Sequence, residues 1–306
     1  MGKDERKSTA LRRMLQEPGP IVAPCAFDAI SARVVEMAGI PVVMHGGFNT
    51  SASLHAMADV GTITQTEMIE HAGRMVRAVD IPVIADVDDG FGKSLNVART
   101  TQEAIRVGVA GMHIEDQALP KRCTSLGGRP VISTEEMLTK LHAARVIRDE
   151  LDPDFVIIAR THASLAVNFE EGLRRGEIYA KEGKADLIWV DLGYDDGVYD
   201  ELKAIAERVA PYANVIANMT ENVGRPLLTT DELYSLGFKL ITYPITLILA
   251  ATTAMRRVAE EIAQKGTHRA IADEIMPVKE FREIVRFAEV EQLEQQLEAY
   301  VPPKFD

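Results

Sequence analysis

The sequence has few cysteines, no long apolar run and no excess of positive charge. Only two cysteines, Cys25 and Cys123, occur in 306 residues. This number excludes a disulfide framework and favours a reducing, cytoplasmic location. No apolar run approaches the ~20 residues that a membrane-spanning helix needs. The charged opening, residues 1–7, is not followed by the apolar core of a signal peptide. We therefore expect neither a membrane nor an export signal.

Charge and length narrow the class of protein further. The 34 basic residues are outnumbered by 46 acidic ones, which gives a net charge of −12. Surfaces that bind nucleic acid are usually basic, so nucleic acid is excluded as a partner and a small molecule is expected. A chain of 306 residues can bury a large core. It fits one barrel with extensions as well as two ordinary domains.

A repeated unit of strand and helix covers most of the chain. Short runs rich in Val and Ile predict strands that begin near Ile21, Pro41, Ile81, Ala110, Phe155, Leu187, Asn214 and Leu240. Amphipathic patterns between them predict helices over 28–38, 65–79, 97–107, 134–149, 170–182, 199–209 and 230–236, with Thr134 as an N-cap. Eight strands alternating with helices predict an α/β fold, a TIM-type (β/α)8 barrel.

The pattern changes after the eighth strand, where two long helices are predicted over 247–264 and 278–300. We predict a single domain over 1–306, with an N-terminal helix in 1–20, the barrel in 21–245 and C-terminal helices in 246–306. The last helix has too many apolar positions for a solvated helix. It packs either on a partner subunit or back on its own barrel, and the sequence leaves both open.

Three carboxylates end the third predicted strand, in the run Asp86-Val87-Asp88-Asp89-Gly90. In parallel α/β folds the active site lies at the carboxyl ends of the strands. Acidic oxygen ligands in small numbers, completed by water or substrate, are typical of a Mg²⁺ site. Acids that cap the following helix are the alternative interpretation.

The fourth predicted strand brings a second polar pair. His113 and Glu115 alternate onto one face of this strand, which suits a site, although a strand histidine is often only a core residue. The long polar loop 119–129 follows, and loops of this kind close over substrates. In it Lys121 and Arg122 flank Cys123, a setting that lowers the pKa of a thiol.

These motifs resemble the isocitrate lyase and phosphoenolpyruvate mutase superfamily, most closely the methylisocitrate lyases and carboxyphosphonoenolpyruvate mutases. The resemblance runs from about Leu11 to Ala299. It includes His45-Gly46-Gly47, Ile158-Ala159-Arg160-Thr161, Ala217-Asn218-Met219-Thr220-Glu221 and Tyr243-Pro244. It implies a barrel whose last helix swaps onto a neighbour, a homotetramer built as a dimer of dimers, and a Mg²⁺ site, with Mn²⁺ as a substitute, held by Asp86, Asp88 and Glu115.

The resemblance also implies an activity. This is a magnesium-dependent carbon–carbon lyase that cleaves a substituted 2-hydroxy dicarboxylic or tricarboxylic acid to an α-keto acid and a carboxylic acid. The catalytic residues are then Cys123, Lys121, Arg160 and His113, with Cys123 as the proton donor. The substrate-binding residues are His45, Gly46, Gly47, Arg160, Asp191, Asn218 and Thr220. Arg160 is expected to pair with a carboxylate through two hydrogen bonds.

Four departures from the lyase pattern keep other activities open. Thr124-Ser125 follows Cys123 where the lyases have Gly-His, His162 replaces an Asp, His45 replaces a Ser, and Asp191 replaces a Glu. One alternative is an α-keto acid decarboxylase or acylhydrolase, or a phosphonate mutase or hydrolase. The alternative of another class is a catalytically silent barrel that serves as a binding or assembly protein.

Overall fold

The computed structural model describes residues 5–121, 130–193, 198–220 and 227–300. Its nine strands are β1 Ile21–Val22, β2 Cys25–Ala26, β3 Val43–His45, β4 Val83–Asp86, β5 Gly111–Glu115, β6 Val156–Thr161, β7 Leu187–Val190, β8 Asn214–Asn218 and β9 Phe238–Thr242. They form one curled sheet in the order β1-β9-β8-β7-β6-β5-β4-β3-β2, and every pair is parallel. The predicted α/β barrel is confirmed, with its first strand in two pieces.

The two pieces of the first strand join the ends of the curled sheet. In β1, Ile21 pairs with Leu240 of β9, and in β2, Cys25 pairs with Met44 of β3. Pro24 lies between the pieces and has no N–H for a ladder hydrogen bond. Its carbonyl still accepts from the Met44 N–H at 3.0 Å. The segment 21–26 is therefore bonded to both the last strand and the next strand along the chain.

Helices alternate with the strands. They are α1 Lys7–Gln16, α2 Ala29–Met37, α3 Gly47–His55, α4 Gln65–Ala78, α5 Ser94–Val107, α6 Thr134–Leu151, α7 Ala163–Ala166, α8 Phe169–Lys181, α9 Val198–Arg208, α10 Thr230–Leu236, α11 Thr246–Lys265, α12 Val278–Ile284 and α13 Phe287–Glu298, with a 3₁₀ helix at Arg269–Glu274. Side-chain caps fix several starts. Thr64 and Glu67, for example, form a reciprocal capping box at α4.

Two helix predictions were wrong in detail. The cap of α6 is Ser133, whose hydroxyl accepts from the Glu136 N–H, so the predicted cap Thr134 is the first helical residue. The predicted helix over 278–300 is two helices, because Arg286 adopts a left-handed conformation with φ 53° and ends the first of them. Helix α3 was not predicted, since its sequence lacks a helical apolar period.

The chain forms two compact units, Met1–Leu249 and Ala250–Asp306. The division falls close to the predicted boundary after residue 245, while the single domain over 1–306 stays a prediction. No helix within the described ranges is long and apolar enough to cross a membrane.

Strand residues alternate between two apolar layers. Ile84, Ile158 and Trp189 belong to the cluster inside the sheet, whereas their neighbours along each strand pack against the helices. Leu11 of α1 joins the inner cluster, and Arg12 of the same helix donates to the Phe155 carbonyl at 3.0 Å, just before β6 begins. Helix α1 thus covers the amino end of the strands, which leaves the carboxyl end for a site.

Candidate active site

Asp86 ends β4 on the same face as Ile84, inside the sheet. Its Oδ2 accepts from the Gly47 N–H at 2.7 Å, and its Oδ1 accepts from the Asp88 N–H at 2.9 Å. Burial alone would raise the pKa of Asp86, but the charges of His113 and Lys121 outweigh burial and lower it. Asp86 is therefore an ionised carboxylate fixed by two backbone donors.

Lys121 is a buried cation between two acids. Its Nζ donates to Asp88 Oδ1 in a short ion pair and lies 3.1 Å from Asp59 Oδ2. Burial lowers the pKa of Lys121, yet Asp88 and the other surrounding carboxylates raise it well above its usual value. Asp88 itself has φ 47°, a left-handed conformation that turns its carboxylate toward the lysine. Lys121 is thus a permanent cation at the acidic cluster.

Asp59 was missed by the sequence analysis. It is buried and paired with Lys121, although it lies in a segment without strand or helical periodicity. Burial raises the pKa of Asp59, partly offset by the Lys121 charge. In the sequence, Asp59 is only an acidic residue in a polar loop, and many surface loops contain such residues.

The second half of the site is a ring of four charged groups at the carboxyl ends of β5, β6 and β7. His162 Nε2 lies 2.9 Å from Glu115 Oε2, and His162 Nδ1 lies 2.9 Å from Asp191 Oδ2. Arg160 contacts the same two oxygens, with Nη2 2.9 Å from Asp191 Oδ2 and Nη1 3.4 Å from Glu115 Oε2. Although burial opposes both shifts, His162 and Arg160 lower the pKa values of Glu115 and Asp191.

Arg160 and His113 both lie against Trp189. The Arg160 guanidinium stands 4.1 Å from the centre of the indole ring, and the His113 ring lies 5.3 Å from it. Burial lowers the pKa of His113, so the ring is neutral. Arg160 Nε and His113 Nδ1 are buried with no hydrogen-bond partner among the described residues. These two atoms are available to a bound ligand.

The composition of the site fits a divalent cation. Within the described residues, five buried carboxylates, those of Asp59, Asp86, Asp88, Glu115 and Asp191, are accompanied by three cationic groups, those of Lys121, Arg160 and His162. Burial raises the pKa of Asp88 to about 8 even beside Lys121, because Asp86 and Glu115 add negative charge. A Cβ on Gly47 would lie 3.1 Å from Asp86 Oδ2, Asp88 Oδ1 and Lys121 Nζ, so the glycine leaves a small cradle over the acids.

No three acidic, histidine or cysteine side chains in ranges 5–121, 130–193, 198–220 and 227–300 already form a closed metal-ligand set. Protein sites for Mg²⁺ usually supply one or two carboxylates and leave the remaining positions to water and substrate. The carboxylates of Asp86, Asp88 and Glu115 are donors of the type that Mg²⁺ prefers, and their assignment as its ligands stays a prediction.

Two buried acids hold the site in place from behind. Asp116, which was not singled out in the sequence, accepts from Thr161 Oγ1 at 2.8 Å, the His162 N–H at 2.9 Å and Tyr179 OH at 2.9 Å. It ties the end of β6 to α8. Asp89, next to Asp88, accepts from Lys140 Nζ of α6 through its carbonyl at 2.8 Å and its carboxylate at 3.2 Å.

The remaining predicted substrate-binding residues differ in whether their polar atoms already have hydrogen-bond partners. His45 is fully buried, its Nε2 is 2.8 Å from Thr50 Oγ1, and its ring packs against His71 of α4. Burial lowers the pKa of His45 to about 3. Its neighbours thus lie in the helix layer behind Gly46 and Gly47, and its contact with substrate stays a prediction. Asn218 Oδ1 and Thr220 Oγ1 are buried without a partner in the described part of the chain.

Cys123, the predicted proton donor, lies outside the described residues, as do Arg122, Thr124 and Ser125. Its role and its proposed activation by Lys121 stay predictions. The other cysteine, Cys25, is buried 3.6 Å from Thr242 Oγ1, and burial raises its pKa to about 12.

Known proteins share this chain's sequence pattern and fold. The family model described as phosphoenolpyruvate phosphomutase matches residues 11–263. The 2,3-dimethylmalate lyase of Eubacterium barkeri is 37% identical over 93% of this chain and 96% of its own length. The 2-methylisocitrate lyase of Halalkalibacterium halodurans is 35% identical over 94% and 92%.

Solved structures extend the comparison to other chemistries. Oxaloacetate acetylhydrolase bound to the inhibitor 3,3-difluorooxalacetate superposes with a TM-score of 0.88 at 29% identity, over 97% of this chain and 98% of that one. Phosphonopyruvate hydrolase in complex with oxalate and Mg²⁺ superposes with a TM-score of 0.85 at 28% identity, over 95% and 99%. Lyases and hydrolases thus share the same scaffold.

Proposed function

The chain belongs to the phosphoenolpyruvate mutase and isocitrate lyase superfamily, and from this premise we propose that it is a magnesium-dependent carbon–carbon lyase. Its substrate is a substituted 2-hydroxy dicarboxylic or tricarboxylic acid, and its products are an α-keto acid and a carboxylic acid. Two lyases, 37% and 35% identical, support this activity, while a carboxyvinyl-carboxyphosphonate phosphorylmutase of Arabidopsis thaliana is 36% identical.

The observation that carries the proposal is the placement of an acidic cluster beside Arg160. Asp86, Asp88 and Glu115 are the residues that would hold Mg²⁺. When bound, the ion would supply a Lewis acid that polarises the substrate. A structure of the related phosphonopyruvate hydrolase contains Mg²⁺ together with oxalate, which supports a metal beside a carboxylate ligand.

The chain's own groups then bind and orient the substrate. Arg160, held on Trp189, offers its unpartnered Nε–H to the substrate carboxylate. The backbone N–H groups at the start of α3, from Gly47 onward, add neutral donors. His113 Nδ1 is an acceptor for the 2-hydroxyl hydrogen bond, because the neutral ring leaves that nitrogen without a partner in the described ranges.

The bond changes balance as a retro-aldol cleavage. The 2-hydroxyl gives its proton to His113 Nδ1, the C2–O bond becomes a carbonyl, and the C2–C3 bond breaks. The electron pair moves to the C3 fragment, which develops enolate character and takes a proton from a general acid. We assign that acid to the thiol of Cys123, on the sequence pattern alone. The permanent charge of Lys121 keeps the carboxylates of Asp88 and Asp59 ordered throughout.

A substrate panel tests the proposal. Purified protein is incubated with Mg²⁺ and a set of 2-hydroxy acids and 2-oxo acids, and pyruvate, glyoxylate, oxalate and phosphate are quantified. The lyase predicts equal amounts of keto acid and carboxylic acid from a 2-hydroxy acid, and loss of turnover in excess chelator. Turnover of 2-oxo acids alone, or full activity in chelator, would contradict it.

Chemistry on a 2-oxo acid is the second candidate activity, as an acylhydrolase, a decarboxylase or a phosphonate mutase or hydrolase. The replacement of the lyase Gly-His by Thr124-Ser125 favours it, and the superposition with oxaloacetate acetylhydrolase is compatible with it. The same panel separates the two, because oxalate or phosphate would then accumulate. A silent barrel would bind neither Mg²⁺ nor Mn²⁺ in a metal titration.

A further inference from the structure

His162 and Asp191 both depart from the lyase pattern, and the structure brings the two side chains together. His162 Nδ1 lies 2.9 Å from Asp191 Oδ2, and the opposite ring nitrogen, Nε2, lies 2.9 Å from Glu115 Oε2. All three residues are at most 2% exposed. Each ring nitrogen is within hydrogen-bond distance of a different carboxylate, and the imidazole therefore bridges the two acids.

Arg160 also bridges the same two carboxylates, those of Asp191 and Glu115. Asp191 Oδ2 accepts from Arg160 Nη2 at 2.9 Å, and Arg160 Nη1 lies 3.4 Å from Glu115 Oε2. Each of the two carboxylate oxygens is thus shared between an arginine and the histidine. Arg160 Nε, which takes no part in these contacts, is buried without a partner among the described residues.

The position of the histidine is itself fixed. Its backbone N–H donates to Asp116 Oδ1 at 2.9 Å, and Asp116 is anchored in turn by Tyr179. The ring has no freedom to follow a ligand, since it is held at the backbone and at both nitrogens. One rigid side chain therefore sets the position of both carboxylates.

We propose that His162 is a positioning residue that couples the two ends of the site. Through Nε2 it orients Glu115 for the divalent cation, and through Nδ1 it orients Asp191, and with it Arg160, for the substrate carboxylate. The inference rests on the proposed function for the roles of Glu115 and Arg160. It adds that the metal end and the carboxylate end are set by one side chain.

Trp189 can report ligand binding at both the metal end and the carboxylate end of the site. Trp189 is the only tryptophan in the sequence, and it lies 4.1 Å from the Arg160 guanidinium and 5.3 Å from the His113 ring. Its fluorescence is therefore expected to follow Mn²⁺ binding and the binding of oxalate, a small dicarboxylate, without any need for turnover.

Two substitutions each keep one of the two contacts of His162 and remove the other. The amide nitrogen of His162→Asn occupies roughly the place of Nδ1 and keeps the contact with Asp191, whereas that of His162→Gln reaches the place of Nε2 and keeps the contact with Glu115. Losing the partner that orients a metal ligand typically weakens metal binding about 10- to 100-fold. We expect this loss in Mn²⁺ affinity for His162→Asn. For His162→Gln we expect Mn²⁺ binding close to wild type and oxalate binding weakened about tenfold.

The outcomes separate coupling from a merely structural role. Equal losses in both variants, or no loss in either, would overturn the proposal. Asp191→Asn is a second variant for the case in which the histidine variants do not fold. It should weaken oxalate binding and preserve Mn²⁺ binding, and loss of both would count against the assignment. A wild-type protein that binds both probes yet cleaves no 2-hydroxy acid would contradict the proposed function alone.

Discussion

A single methyl group distinguishes glycine from alanine, and it would meet different surroundings at Gly46 and Gly47. At Gly47 the added Cβ would lie 3.1 Å from Asp86 Oδ2, Asp88 Oδ1 and Lys121 Nζ, whereas at Gly46 its nearest neighbour would be Asn49 Nδ2 at 3.4 Å. We expect Gly47→Ala to lower kcat/KM by at least about tenfold, because the methyl group fills the cradle over the metal ligands. Gly46→Ala, the matched control, should lose much less.

Metal titration of the same pair identifies the cause. The weaker activity of Gly47→Ala should be accompanied by weaker Mn²⁺ binding, with thermal unfolding close to that of wild type. If the two alanine variants lose activity equally, the cradle has no special role.

Cys123 is the residue on which the lyase and the keto-acid activities differ. In the lyase, Cys123→Ser removes a thiol that protonates the leaving fragment, and loss of general acid catalysis typically costs about 10²- to 10⁴-fold. The loss should appear in kcat and kcat/KM together. A serine variant within about tenfold of wild type on the true substrate would instead indicate that Cys123 does not donate the proton.

Alkylation gives an independent measurement with a built-in control. Iodoacetamide at neutral pH is expected to label Cys123, because Arg122 beside it in the sequence favours the thiolate. Cys25 should stay unlabelled, since it is buried and its pKa is raised to about 12. Mass spectrometry of the labelled peptides distinguishes the two cysteines, and equal labelling would contradict the expected difference.

At the scale of elements, helix α6 supports the loop that carries the metal ligands. Lys140 and Asp89 form a buried ion pair, with side chains only 3% and 6% exposed. Removing one partner of a buried pair leaves an unpaired charge and typically costs about 3–5 kcal/mol. We expect Lys140→Met to lower the free energy of unfolding by this amount in urea denaturation, and to weaken Mn²⁺ binding because Asp89 adjoins Asp88.

An exposed ion pair provides the control for this substitution. Lys203 and Glu207 lie 3.9 Å apart on α9 with side chains 60% and 66% exposed, so Lys203→Met should leave the free energy of unfolding nearly unchanged. A Lys140→Met protein as stable as this control would show that the buried pair does not support the loop.

Helices and strands were predictable where the apolar residues follow a clear pattern and a turn residue ends it. All eight predicted strands are present, because Val and Ile runs buried on both faces leave little ambiguity. Helix α3 escaped prediction because its sequence lacks a helical apolar period. The break at Arg286 was missed because its flanking residues keep a helical apolar pattern.

The candidate site was predictable mainly at the ends of strands. Asp86, His113, Glu115 and Arg160 lie together because parallel strands end at one edge. Asp59 and Asp116 were missed because their roles depend on Lys121 and Tyr179, which are distant in sequence. The orientation of His45 likewise depends on a contact with His71, which lies in helix α4.

At the scale of the whole molecule, α12 and α13 present apolar side chains to solvent. Seven of them are between 40% and 72% exposed: Val278, Phe281, Val285, Phe287, Val290, Leu293 and Leu297. Apolar patches of this kind mark interaction surfaces. We keep the swap of the last helix and the tetramer as proposals, and a truncation tests both directly.

Truncation after Gly266 removes both helices. If they cover a neighbouring subunit, the truncated chain should be insoluble or form smaller assemblies, as measured by size-exclusion chromatography with light scattering. Leu293→Asp should act in the same direction, and Glu294→Ala on the same helix is its control. A soluble tetramer after truncation would contradict the swap.

The divided first strand also has a consequence for biosynthesis. Residues 25–26 can pair with β3 soon after they are made, but Ile21 must wait for Leu240 of β9. At ~5–20 residues per second, translation leaves β1 without its neighbour for roughly 10–40 s. During that time the hydrogen-bonding edges of the growing sheet are open to other chains. Slow synthesis or a chaperone at the ribosome should therefore affect the yield of folded protein.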